Sequence, residues 1–273
     1  MSCLRHLCVY AILFYRYFVP TGLKILLSDP ADKSVDYFHL SLGDKMQIYK
    51  NLDGKNILIT SGPTRGYIDA VRYISNKSTG ALGAAIAMES LKRDAAVTFV
   101  YGAGSAIPNT DSLSKNHASR FTPIEIETID DLLTVVQQTV NGKPFNAIIH
   151  AMAVLDYIPE KQSSGKISSN QDKLIVTFVR TPKVIKLIRN LWPQTYLVGF
   201  KLEVGLSDEE LIARAYTSLQ ENRSDLVVAN NQNEIAGGKH YAYLINAKKE
   251  VESRCETKQE ISVALMDLIA LQC

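Results

Sequence analysis

The chain has 273 residues, 46% of them hydrophobic, which allows a sizeable buried core in one large α/β domain or two small ones. Its 30 Lys and Arg against 28 Asp and Glu leave a net charge of +2, which excludes a global pull toward nucleic acid or an anionic membrane and leaves phosphate binding to local cations. The cysteines Cys3, Cys8, Cys255 and Cys273 have neither zinc-ligand spacing nor the density of a disulfide framework, so a reducing, cytoplasmic setting is expected. Residues 1–54 read as an N-terminal extension of unknown role. Within it Leu7 to Tyr15 form an apolar run between Arg5 and Arg16. The run is shorter than the ~20 residues of a spanning helix. No small-residue cleavage site precedes Pro20, which favours a packed extension or a leader over a secretory signal. Asp53-Gly54 marks a turn, and strands and helices then alternate. Asn56 to Ser61 predicts a buried strand, 62–69 a loop and Ala81 to Arg93 a helix. Val97 to Tyr101 and Phe121 to Ile126 predict strands. Ile129 to Val140 predicts a helix capped by Thr128, and Ala147 to Met152 another buried strand. Lys173 to Val179 alternates like a more exposed strand, Pro182 opens a helix through Asn190, and Tyr196 to Phe200 predicts a strand. Ser207 with Glu210 caps a helix to about Asn222. Strands at Asp225 to Ala229 and Tyr241 to Ile245 follow, then a helix from Thr257 to Ala270. This order predicts an α/β fold: a doubly wound, mostly parallel, Rossmann-like sheet with helices on both faces, spanning 55–273.

Five segments carry possible chemistry, four of them at a predicted strand end, where ligands bind in such sheets, and one in a loop of small polar residues. Ser61-Gly62-Pro63-Thr64-Arg65 leads into Arg72 and Ile74-Ser75-Asn76-Lys77-Ser78-Thr79-Gly80, with Gly83 beyond. Small residues at a helix start suit a phosphate, or simply cap the helix. The stretch has neither the dinucleotide glycine fingerprint nor a G-K-[ST] sequence. Met152-Ala153-Val154-Leu155-Asp156-Tyr157 ends a strand with an acid, which faces a ligand or caps a turn. Lys166, in Gly165-Lys166-Ile167-Ser168-Ser169, closes over phosphates or is merely solvated. Phe200 stacks on a base or fills the core, and Asn230 reads a ribose or makes a turn.

Read together, S-G-P-T-x-x-x-I-D-x-V-R, I-S-N-x-S-T-G-x-x-G, A-V-x-D-Y, K-I-S-S, T-P-K, G-F-K-L and D-L-V-V-A-N resemble the phosphopantothenate–cysteine ligase family, in particular its stand-alone bacterial form. The resemblance runs from about Lys55 to Ala270. It implies that 4′-phosphopantothenate is activated by CTP or ATP with Mg2+ and then joined to cysteine, in coenzyme A biosynthesis, by a homodimer. It implies that Asn76 holds the acyl intermediate, Lys166 stabilises phosphates and Arg72 reaches phosphopantothenate across a dimer interface. Met152, Ala153 and Asp156 would line the pantothenate and nucleotide crevice. Gly62, Ser78, Gly80, Gly83, Phe200 and Asn230 would contact the nucleotide. No metal ligand is assigned. Thr217 and Glu221 align where bacterial relatives often carry lysines, Leu155 replaces a smaller residue and Asn231 an acid. A negative Glu221 beside a triphosphate is unfavourable, and Arg214, Arg223 or Lys201 are candidates to compensate. The alternatives are a nucleotide-binding protein that lost ligase activity and an NAD(P)-dependent reductase. The reductase would need an acid after the second strand, where the chain has Gly102-Ala103-Gly104-Ser105.

Overall fold

A computed structural model describes the backbone of Lys24–Ser28, Val35–His39 and Gln47–Lys50, and residues 51–273 apart from Gln171 and 236–238. The apolar run from Leu7 to Tyr15 lies outside the described residues. The chain divides into two compact units, Met1–Asn51 and Leu52–Cys273. In the first, β1 (Lys24–Ser28), β2 (Val35–His39) and β3 (Gln47–Lys50) form an antiparallel meander, for which the sequence gives no periodic signal.

The second unit is built on an eight-stranded sheet in the order β15-β14-β13-β12-β9-β4-β7-β8. The strands are β4 (Asn56–Ser61), β7 (Ala96–Gly102), β8 (Phe121–Ile126), β9 (Ala147–His150), β12 (Tyr196–Glu203), β13 (Leu226–Asn231), β14 (Ala242–Asn246) and β15 (Val251–Cys255). From β13 to β8 all neighbours are parallel, and β14 and β15 close one edge antiparallel. The central strands carry consecutive buried apolar residues, such as Ile57-Leu58-Ile59 of β4 and Ala147-Ile148-Ile149 of β9, because both faces are covered. Ile57 and Ile59 point into a core shared with α1 (Ala81–Lys92) and α6 (Lys258–Gln272). Leu58 points into the opposite core, against α3 (Ile129–Thr134) and α4 (Val184–Leu191). On that second face α5 (Asp208–Asn222) packs Leu211, Ala215 and Leu219 onto Val227 and Ala229 of β13. A short α2 (Lys115–Ala118) precedes β8. The doubly wound expectation holds.

Local departures have physical causes. The segment 62–69, expected as loop, contains β5 (Arg65–Tyr67), which pairs with β6 (Tyr73–Ser75) in a small hairpin. Of the strand expected over Lys173 to Val179, only its end takes part in β11 (Phe178–Arg180), paired with β10 (Tyr157–Pro159). The helix expected from Pro182 begins at Val184, with Lys183 as its N-cap. The helix expected to reach Val140 is α-helical through Thr134, and Val135–Thr139 form a π turn.

Candidate active site

The loops leaving β4 and β9 run side by side at the point where the sheet's winding reverses, the place where open α/β sheets bind ligands. They are zipped together. Ala153 N donates to Gly62 O at 2.9 Å, Thr64 N to Ala153 O at 3.4 Å and Leu155 N to Thr64 Oγ1 at 3.0 Å. Asn76, brought back by the β5–β6 hairpin, joins them: its Nδ2 donates to Ala153 O at 3.1 Å and Val154 O at 3.2 Å. Thus Gly62, Asn76 and Ala153, far apart in the chain, meet at one spot.

From this seam a cleft of about 750 Å³ opens between α4 and α5. Met152, Ala153 and Asp156 line it from the loop after β9, and Phe200 from β12. Phe200 also packs against the α1–α6 core, as the reading of it as a core aromatic expects. Asp156 accepts from Lys183 Nζ at 2.6 Å, both side chains being largely exposed at the rim. The walls add Lys186, Lys201, Arg214, Glu203 and Glu221. Four cations against three anions, 4 − 3, leave the cleft at +1. His150, on its floor, bonds through Nδ1 to Thr60 Oγ1 at 2.7 Å, and burial pushes its imidazole down to about 4, so it is neutral at physiological pH.

The remaining predicted site residues do not line this cleft. Gly62 (φ +76°) and Gly80 (φ +72°) adopt left-handed backbone that favours glycine, and Gly80 rather than Ser78 or Thr79 is the N-cap of α1. A Cβ on either glycine would strike Ser105, whose hydroxyl is buried without a hydrogen-bond partner among the described residues. Ser78 N donates to Asn76 O, which tightens the turn before α1. Gly83 packs directly on Ser61. Asn230 is buried at the end of β13, with Nδ2 donating to Tyr241 O at 3.0 Å. Arg72 donates from Nε and Nη2 to Asp69 Oδ2, at 3.0 and 2.6 Å, and from Nη2 to Ile167 O at 2.9 Å. Asp69 also accepts from Ile167 N at 3.0 Å, so the Lys166 loop is fastened to the Arg72 hairpin. The Arg72 guanidinium holds the Asp69 carboxyl far below the usual carboxylate range.

Lys183 and Ser105 had no signal as site residues beyond their place in T-P-K and G-A-G-S. Of the cations considered as compensating for Thr217 and Glu221, Lys201 and Arg214 line the cleft, whereas Arg223 turns to Asn190. Asn231 is buried and anchors the turn after β12 through Gly205 N and Leu206 O.

Residues 52–272 match the family model of the DNA/pantothenate metabolism flavoprotein C-terminal domain. The chain is 37% identical over 220 residues to the coenzyme A biosynthesis bifunctional protein CoaBC of Thermococcus kodakarensis. That match covers 81% of this chain and 52% of the relative, so the chain spans about half the relative's length. A solved DNA/pantothenate metabolism flavoprotein from Streptococcus pneumoniae is 30% identical with a TM-score of 0.70, covering 80% of this chain and 99% of that one. A mutant Cab2 in complex with phosphopantothenate-cysteine, 19% identical, shares the fold with a TM-score of 0.63 over 80% of this chain and 88% of that one.

Proposed function

The chain belongs to the family of the DNA/pantothenate metabolism flavoprotein C-terminal domain, and we propose that it is a phosphopantothenate–cysteine ligase of coenzyme A biosynthesis. One observation carries the reading. Asn76 is bonded onto the Ala153–Val154 carbonyls at the sheet's switch point, beside a polar cleft that holds Asp156 and four cations.

The reaction has two steps. A carboxylate oxygen of 4′-phosphopantothenate attacks the α-phosphorus of CTP or ATP, the bond to the bridging oxygen breaks, and pyrophosphate leaves with the electron pair. The cysteine amine then attacks the acyl carbon, nitrogen loses a proton, and the nucleoside monophosphate leaves. Both steps need positioning and charge stabilisation rather than a protein nucleophile. Asn76 spends its Nδ2 protons on the loop after β9, and its Oδ1 accepts no hydrogen bond among the described residues. That oxygen is the acceptor that orients the cysteine amine. Lys166, on the tethered loop, meets the phosphates. Met152, Ala153 and Asp156 hold the pantothenate arm. Gly62, Ser78, Gly80, Phe200 and Asn230 form the nucleotide's side of the site, and Gly83, packed on Ser61, holds α1 against β4 behind it. Asp156, at the cleft rim, is the hard oxygen donor that would hold Mg2+ arriving with a triphosphate, where the ion would supply charge neutralisation.

We place the working enzyme in the cytoplasm, where the free thiols of Cys255 and Cys273 stay reduced. No described helix is long and apolar enough to cross a membrane. We infer a homodimer through the two small hairpins. Arg72 sits between exposed Val71 and Tyr73, and Tyr157 and Phe178 on the adjoining β10–β11 pair, with Ile175 in the segment before β11, expose further apolar surface.

The test is pyrophosphate release from phosphopantothenate, cysteine and either CTP or ATP, with the amide product followed separately. Well-folded protein that yields neither product with either nucleotide would refute the ligase assignment. In Asn76→Ala, pyrophosphate release is expected to persist while amide formation falls by on the order of a hundredfold. Two intact half-reactions in that variant remove Asn76 from the mechanism.

A further inference from the structure

The cleft's cations are not equivalent. Along β12 alternate residues face opposite sides, so Gly199, Lys201 and Glu203 share the face that looks into the cleft. On α5 the buried stripe is Leu211, Ala215 and Leu219. The stripe beside it, Arg214, Thr217 and Glu221, lines the cleft with one cation at one end and one anion at the other. Glu203 ties strand to helix: Lys201 Nζ lies 3.1 Å and Arg214 Nη1 3.7 Å from the same Oε1. A single, mostly buried carboxylate therefore gathers two cationic heads and neutralises only one of them. Across the cleft, Lys183 is already engaged by Asp156.

We propose that Lys201 and Arg214, gathered by Glu203, form the arm that grips the polyphosphate of the nucleoside triphosphate. The inference rests on the ligase reading for the identity of the anion, but it is judged by binding alone. An ammonium and a guanidinium fork converging on one point suit a multiply charged phosphate chain. The anion enters by displacing neither cation from Glu203, since each retains unused N–H donors. Glu221 lies seven residues, about 10 Å, further along α5. Its charge repels phosphate there, so the polyphosphate lies at the Arg214 end of the stripe.

The test is the affinity of the full chain for MgCTP and MgATP, measured by calorimetry without the other substrates. Arg214→Met and Lys201→Met are each expected to weaken the nucleotide that wild type prefers by roughly tenfold or more. Arg214→Lys and Lys201→Arg should recover most of the loss. Phosphopantothenate affinity should stay within about twofold, because a field effect alone would move both anions together. Arg214 is largely exposed, so its loss leaves the fold intact. Glu221→Lys should change nucleotide affinity by less than about threefold. Unchanged nucleotide affinity in a folded Lys201→Met/Arg214→Met double variant overturns the proposal. So does a Glu221→Lys variant that binds tenfold or more tightly, which would put the phosphates at the other end of the helix. Wild type that binds neither nucleotide also overturns it. Wild type that binds a nucleotide without turnover overturns the ligase reading alone.

Discussion

At Gly83 a methyl group would stand 2.1 Å from Ser61 Oγ and 2.5 Å from Ser61 Cβ, inside the contact where α1 crosses β4. Ser61 is buried and its hydroxyl donates to Gly80 O, so it has no way to yield. Gly83→Ala is therefore expected to cost about 1–3 kcal/mol as an overpacking change, read as a lower urea midpoint with an unchanged m-value. The sequence pattern marks Gly83 as a residue that clears space for a ligand, and the structure shows the space already filled by Ser61. His150 makes a second argument at this scale. Its folded value, about 4, lies below the ordinary value near 6.5, so as pH falls below ~6.5 the unfolded chain takes up a proton that the native chain refuses. Its contribution to stability is complete above ~6.5 and is lost progressively down to about 4, with a slope of at most ~1.4 kcal/mol per pH unit. The difference between urea midpoints at about pH 7.5 and about pH 5 should be smaller in His150→Gln than in wild type without vanishing, because burial also lowers His240 to about 4. Equal slopes in both proteins would mean that the imidazole does not titrate as its burial requires.

The elements that bring distant residues to the site are small, and one buried carboxylate fastens them. Asp69 accepts from Val71 N at 2.9 Å, Arg72 N at 2.8 Å, Ile167 N at 3.0 Å and the Arg72 guanidinium. It thereby shapes the β5–β6 turn and pins the Lys166 loop to it. In Asp69→Asn one oxygen and the charge are lost, the loop over 160–167 should be cut faster by protease, and pyrophosphate release should fall on the order of tenfold to a hundredfold. Wild-type proteolysis and turnover in that variant would show that the tether is dispensable. None of this wiring is visible in the sequence, where the region reads as plain loop because three-residue strands carry no period. A buried apolar run is legible instead: Asn56–Ser61 appears within its predicted bounds, since burial on both faces forces β-branched and aliphatic residues there. Phe121–Ile126 also keeps its bounds although, at the sheet's edge, only its Ile126 is buried. β15 (VESRC) escapes notice because an exposed antiparallel edge tolerates charge. Lys173 to Thr177 misleads for the opposite reason. Its alternation resembles a strand, but Ile175 is 88% exposed and has no sheet to bury it. The site was legible as a set of motifs. The cleft charges Lys201, Glu203 and Arg214 become a unit only when strand parity and helix stripe are combined.

At the scale of the whole molecule, the apolar surface of the two hairpins asks for a partner, and the inferred partner is a second copy of the chain. The argument runs through Arg72. Its Nε and Nη2 are taken by Asp69 and Ile167, its Nη1 has no partner among the described residues, and its neighbours Val71 and Tyr73 face outward. A residue so placed is held rigidly by its own chain while presenting a donor away from it, the arrangement needed to reach an anionic substrate bound by another copy. Charge on the face should separate the copies without disturbing either core, because Ile175 and Phe178 belong to neither. Ile175→Asp with Phe178→Asp is thus expected to halve the mass seen by light scattering while leaving the melting transition of the 52–273 unit nearly in place. Affinity for MgCTP or MgATP should survive in the separated copies, since the cleft lies within one chain, whereas turnover of phosphopantothenate should fall by on the order of a hundredfold with the loss of the partner's arginine. If separated copies turn over phosphopantothenate at the wild-type rate, each chain completes its own site and Arg72 serves only to hold Asp69 and the Lys166 loop.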